Sequence, residues 1–123
     1  MNHTTVDSAL LRRSATLMLA GQMLYGVITL FHTGGEANNH PAIFAAYAAS
    51  RTWTAVHVAQ FACMAIMLAG LLALFSALPG QAPLAGRLGG ASTTAALALY
   101  GGVLAVDGVA LKQAVFVGRG IRA

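Results

Sequence analysis

The sequence predicts an all-α integral membrane protein: a helical bundle of three transmembrane helices plus a short interfacial helix. Three observations predict it. Hydrophobic residues make up 58% of the 123 positions and charged residues 8%, against roughly 45–50% and about 25% in soluble domains. Three long apolar runs, 14–31, 52–78 and 91–111, carry almost no fixed charge. The basic residues flank these runs instead of forming a face: Arg12 and Arg13 before the first, Arg87 between the later two, Lys112, Arg119 and Arg122 after the last. That placement is typical of residues beside membrane spans. One membrane domain over 1–123 is the expected organisation, with the lipid bilayer as its first partner. A net charge of +4 without a basic face gives no reason to expect nucleic acid as a partner.

The polar lead ends at Asp7 or Ser8, either of which can cap a helix entering the membrane. Span one, 14–31, has no fixed charge and is close to the roughly 17 residues needed to cross the hydrocarbon. No small-x-small cleavage site follows it, so it reads as an uncleaved span and not as a signal peptide. A His-rich loop covers 32–51. Within it Gly34-Gly35 and Asn38-Asn39 break the helix, and Pro41 starts a short interfacial helix to Ser50 that carries Phe44 and Tyr47.

Span two, 52–78, contains His57 as its one ionisable polar side chain and stops at Pro79-Gly80. A turn over 81–90 with Pro83 and Arg87 leads to span three, 91–111, with Ser92 as its cap and Lys112 as its close. Cys63 is the single cysteine, so no internal disulfide can form. Basic residues divide three against four between the two sides, and the Arg12-Arg13 pair ahead of the first span favours a cytoplasmic N-terminus.

Each span carries polar residues at helical spacing: Met18, Gln22, Tyr25, Thr29 and His32 on the first; His57, Gln60, Met64, Met67 and Leu71 on the second; Thr93, Tyr100 and Asp107 on the third. Polar groups facing hydrocarbon are costly, so these stripes are expected to face one another. Small residues at spacing four (Ala65, Ala69 and Ala73; Ala98 and Gly102; Gly101 and Ala105) suit close helix packing on the other faces.

In an up-down-up bundle the end of span one, the start of span two and the end of span three share one membrane face. That face gathers His32, Glu36, His40, Arg51, His57, Asp107 and Lys112, with His57 and Asp107 as the first expected pair and Lys112 snorkelling to headgroups. Such a cluster suits a structural lock between helix ends. It also suits a proton relay or small transporter using His57 and Asp107, which three spans would build only as an oligomer. A metal or haem site draws on His32, Glu36, His40 and His57, with Met64 and Met67 for copper, but the spacings match no ligand motif. Ser50 and His57 have no diagnostic spacing for surface catalysis, so no catalytic residue is assigned, no enzyme activity is expected and no cofactor is assigned.

The segment HTGGEANNHPAIFAAYAASRTWTAVHVAQF, a long apolar span, and then ALYGGVLAVDGVALKQAV resembles small bacterial multi-pass membrane proteins of a domain-of-unknown-function type. The resemblance covers 15–117 and rests on His40-Pro41, Trp53 with His57, and Asp107-Gly108. It implies the bacterial inner membrane and a four-helix parent whose fourth helix this chain lacks, FVGRGIRA standing in its place. It implies no activity. The expected role is that of a non-enzymatic structural or accessory subunit, as a homo-oligomer or within a larger membrane complex.

Overall fold

The computed structural model describes residues 7–36, 38–77 and 83–120. Their regular structure is all helical, with no strand among the described residues: α1 Ser8–Thr29, α2 His40–Ala49, α3 Trp53–Ser76, α4 Pro83–Ala105, a π-helical segment Val106–Leu111, and α5 Lys112–Gly120.

Asp7 starts α1, its Oδ1 accepting from the amides of Ala9 and Leu10 at 2.9 and 3.0 Å. These are two of the donors a helix start leaves without partners. Beyond Thr29 the chain turns through Gly34-Gly35 to Asn38, whose φ of 66° lies in the left-handed region that asparagine tolerates. Asn39 then caps α2 by accepting from the Ala42 amide at 3.3 Å, with Pro41 in the first turn, where its missing N–H is no loss.

α3 is the centre of the molecule. It runs antiparallel to α1 on one side and to α4 on the other, while α2 lies against α5. Along α1 the partners on α3 come in reverse order: Ser14 meets Gly70, Gly21 meets Cys63 and Met67, Thr29 meets Gln60, and His32 meets Trp53 and His57. Along α4, Gly89 meets Phe75, Gly101 meets Phe61, and Asp107 meets His57.

Two elements of the expected boundaries change. The helix after the second span begins at Pro83, not at 91, so Gly89 and Gly90 are helical and Ser92 is an exposed mid-helix residue with no capping role. Neither glycine interrupts the helix, and Gly89 seats the Phe75 ring where a side chain would collide. Lys112 does not close the helix, because α5 continues from the π-helical segment. Pro79-Gly80 and the first two residues of the expected turn, 81 and 82, fall outside the described residues; the rest of that turn, 83–90, is helical.

Two helical stretches are long and apolar enough to cross a membrane: Trp53–Ser76, with mean hydropathy 2.3, and Pro83–Val115, with mean hydropathy 1.7. α1 is not one of them. Its helix includes Arg12, Arg13 and Gln22 and ends at Thr29, leaving the apolar Leu30 and Phe31 outside.

The interior is as polar as it is apolar. Trp53, Val56, Cys63, Leu68 and Ala77 are buried beside Ser14, His57, Gln60 and Thr93. Every buried side-chain polar atom among the described residues has a partner, as buried polar groups require. The inward face of α1 is Ser14, Met18, Gly21 and Tyr25; Gln22, expected there, is exposed. The alanine row Ala65, Ala69 and Ala73 is not where helices approach most closely, since Ala69 is exposed. That role falls to Gly21 and Gly70. Ser14 fixes the second contact by donating from Oγ to the Gly70 carbonyl at 2.7 Å. Ser14→Ala is expected to lower stability by about 1 kcal/mol, the net value of one such bond, measured by unfolding in detergent.

Candidate functional site

At the end of the bundle where α1 finishes, α3 begins and α4 gives way to the π-helical segment, five aromatic and imidazole rings meet. Trp53, only 1% exposed, is the hub. Its ring lies 3.8 Å from Tyr47, 4.9 Å from His32 and 4.4 Å from His57, centre to centre. His32 and His57 are 5.1 Å apart by the same measure. Phe44 extends the cluster from Tyr47 at 6.3 Å.

The π-helical segment aims α4 at this hub. A π turn is wider than an α turn and recurs at functional sites. Here the Asp107 carbonyl accepts from Trp53 Nε1 and the Gly108 carbonyl from Thr54 Oγ1, both at 2.9 Å. Gly108 is buried directly against His57: a β-carbon placed there would lie 2.5 Å from the His57 Cβ. Only glycine lets the segment come this close to α3.

His57 is 2% exposed and held through both ring nitrogens. Nδ1 is 2.8 Å from the Trp53 carbonyl and Nε2 is 3.1 Å from Asp107 Oδ2. A carbonyl only accepts, so Nδ1 carries a hydrogen and donates it. In the neutral ring that leaves Nε2 bare, facing a carboxylate that also only accepts. The contact therefore holds one proton between Nε2 and Oδ2, written either as imidazolium with carboxylate or as imidazole with carboxylic acid. Asp107 keeps 41% of its side chain exposed, so the pair is open on the carboxylate side.

The other expected members divide. Lys112 does not snorkel freely but donates from Nζ to the Ser50 carbonyl, tying the start of α5 to the end of α2. Ser50 Oγ accepts from Thr33 at 3.1 Å, joining the same loop. His40 stacks on Phe44 at 6.3 Å and is exposed, as are Glu36 and Arg51; the structure does not bring these three into the His57 cluster. One turn and more deeper lies a second polar layer. Gln60 Nε2 donates to Thr29 Oγ1 at 3.1 Å, and Tyr100 donates to the Tyr25 hydroxyl at 2.9 Å. Tyr25 and Tyr100 thus link α1 directly to α4.

The ligating atoms of His32, His57 and Asp107 lie within 4.8 Å of one another. The residues that sequence reasoning missed are Trp53 as hub, Thr54 as donor, and the carbonyls of Ser50, Asp107 and Gly108. Trp53 beside His57 and the Asp107-Gly108 dipeptide are the signals in the sequence; a π-helical turn has no such mark. Beside His57, which forms part of its wall, an apolar cavity of about 230 Å³ opens between α3 and the end of α4 with its π-helical extension, lined also by Val58, Phe61, Gly101, Leu104 and Val109. Chemically, the arrangement can share a proton, bind a cation, or lock three helix ends. No family model, curated protein or solved structure matches the chain.

Proposed function

We propose that this chain is a non-enzymatic accessory subunit of the bacterial inner membrane, crossing it three times with its N-terminus in the cytoplasm, and working as a homo-oligomer or within a larger membrane complex. One observation carries the reading: the two long apolar helices are mostly unburied, and the second leaves most of its large apolar residues on the outside. Only 22% of the Trp53–Ser76 window and 11% of the Pro83–Val115 window are buried. A core helix of a soluble protein is mostly buried; the second of these leaves Leu84, Leu88, Leu99, Val103 and Val106 at least 60% exposed, and the first leaves Val58, Phe61 and Leu72 exposed. Such a surface is stable only against lipid or another apolar protein face. α1 supports the third crossing because Leu19, Met23 and Val27 along it, and Leu30 and Phe31 just after it, are likewise exposed. The bilayer would thus lie against all three helices. The face bearing His32, His57 and Asp107 would be periplasmic, opposite the Arg12-Arg13 pair.

The experiment is site-directed labelling in intact cells. Ser8→Cys, Glu36→Cys and Arg87→Cys, each combined with Cys63→Ala, are treated with a membrane-impermeant maleimide. Glu36→Cys is expected to react from outside, and the other two only after permeabilisation. Reaction of Ser8→Cys and Glu36→Cys from the same side would remove the first crossing. Mass measurement in detergent is expected to give a multimer or a complex with a co-purifying partner. A lone monomer would overturn the subunit reading.

A further inference from the structure

We propose that His32, His57 and Asp107 form a binding site for one divalent transition-metal cation of the zinc class. Four features of the site lead there, and none depends on the identity of a partner subunit.

The donor set comes first. Two imidazole nitrogens and one carboxylate oxygen suit zinc and its first-row neighbours, whereas magnesium and calcium favour oxygen-only shells. Distance comes second. Two ligands bonded at about 2.0–2.1 Å and a tetrahedral angle stand about 3.3 Å apart; His57 Nε2 and Asp107 Oδ2 stand 3.1 Å apart. The third donor, from His32, is within 4.8 Å of both. His32 is half-buried in the bend after α1, and its ring makes tilted contacts with Trp53 and His57, with no hydrogen bond to its nitrogens among the described residues. Coordination requires that side chain to close the remaining gap.

Preorganisation comes third. Metal-bound histidines usually donate their other ring N–H to a carbonyl or carboxylate, which fixes the tautomer. His57 does this through Nδ1 to the Trp53 carbonyl, directing the Nε2 lone pair at Asp107. The backbone bearing Asp107 is itself anchored by the Trp53 indole. Charge comes fourth. His57 is the sole ion-pair partner of Asp107 among the described residues, and the nearby Lys112 ammonium is directed to Ser50 instead. A cation bonded to Nε2 and Oδ2 takes the place of the proton held there, which leaves to water. Three protein ligands with an exposed carboxylate leave a fourth position open to a water molecule or a small ligand.

Trp53 is the single tryptophan of the chain and touches both histidines, so its fluorescence reports the site directly. The full-length protein in detergent, first stripped with a chelator, is titrated with Co²⁺, and Zn²⁺ is then added as a competitor. Saturable quenching at one Co²⁺ per chain, reversed by Zn²⁺, is expected. His32→Ala and Asp107→Asn are each expected to weaken binding at least tenfold while keeping the thermal unfolding transition, and His40→Ala to leave it unchanged. Unsaturable quenching, an unaffected His32→Ala variant, or an equal loss in His40→Ala would overturn the proposal.

Discussion

Gly21→Val and Gly70→Val are each expected to separate α1 from α3 and to lower stability by about 3 kcal/mol or more, beyond the usual range for overpacking. The reason is what a new β-carbon would meet. At Gly21 it would lie 2.6 Å from the Met67 amide nitrogen and 2.8 Å from the Cys63 carbonyl; at Gly70, 2.8 Å from the Ser14 carbonyl and 2.9 Å from the Met18 amide. These are backbone atoms of the facing helix, and no rotamer change can move them aside. The two contacts are reciprocal, one glycine from each helix, and each sits seven residues from its partner contact on the same helix. Seven residues are two turns, about 10 Å, so the helices are in near-contact along that whole length. In lipid no hydrophobic effect draws helices together, and close packing and hydrogen bonds carry association. Losing the approach also removes the Ser14 bond to Gly70 and weakens the Gln60 bond to Thr29 further along. Gly26→Val and Gly102→Val are the controls, because nothing lies within 4 Å of a β-carbon at either. Unfolding in a graded detergent series should leave the controls near the parent and shift the two interface variants strongly. Equal behaviour of all four would mean that α1 does not pack on α3 as described.

The helical class and the position of α3 were legible because they rest on composition and on run length, which need no partner. The contact of His57 with Asp107 was legible for a related reason: two shallow ionisable groups on helices that end at the same face have few other places to go. Other features depend on neighbours that no local pattern names. Gly21 and Gly70 look no different from Gly26 and Gly102 until the facing backbone is known. Gly89-Gly90 read as a turn, yet α4 runs through them, since Gly89 leaves the room that the Phe75 ring fills. Glu36 and His40 are close to His32 in sequence and are also ligand-type residues, but both are exposed and stand apart from the His57 cluster. α1 shows how one boundary decides a class: the helix stops at Thr29, immediately before the apolar pair Leu30-Phe31 that would lengthen its greasy stretch.

Trp53→Ala is the second substitution with a large expected effect, about 3 kcal/mol. That is the low end for deleting a buried tryptophan, because much of the loss is of packing contacts and not of transfer from water. The ring is 1% exposed and touches residues from four segments: Tyr47 on α2, His32 after α1, His57 on its own helix, and the Asp107 carbonyl in the π-helical turn. Removing it leaves a cavity at the point where these segments converge and an acceptor without its donor. Trp53→Phe separates the two losses. A phenyl ring keeps most of the apolar contact and gives up only the indole N–H, so about 1 kcal/mol is expected. The two variants should also differ in where the fold loosens. With alanine, α2 loses the ring on which Tyr47 rests, and hydrogen exchange should rise across His40–Ala49 before it rises in α3. With phenylalanine, exchange should rise first in Val106–Leu111, where the Asp107 carbonyl has lost its partner. A small alanine effect, or the same exchange pattern for both variants, would mean that the bundle end is held by the His57–Asp107 contact and the Thr54 bond alone. The ring would then be a spectator to the site it encloses.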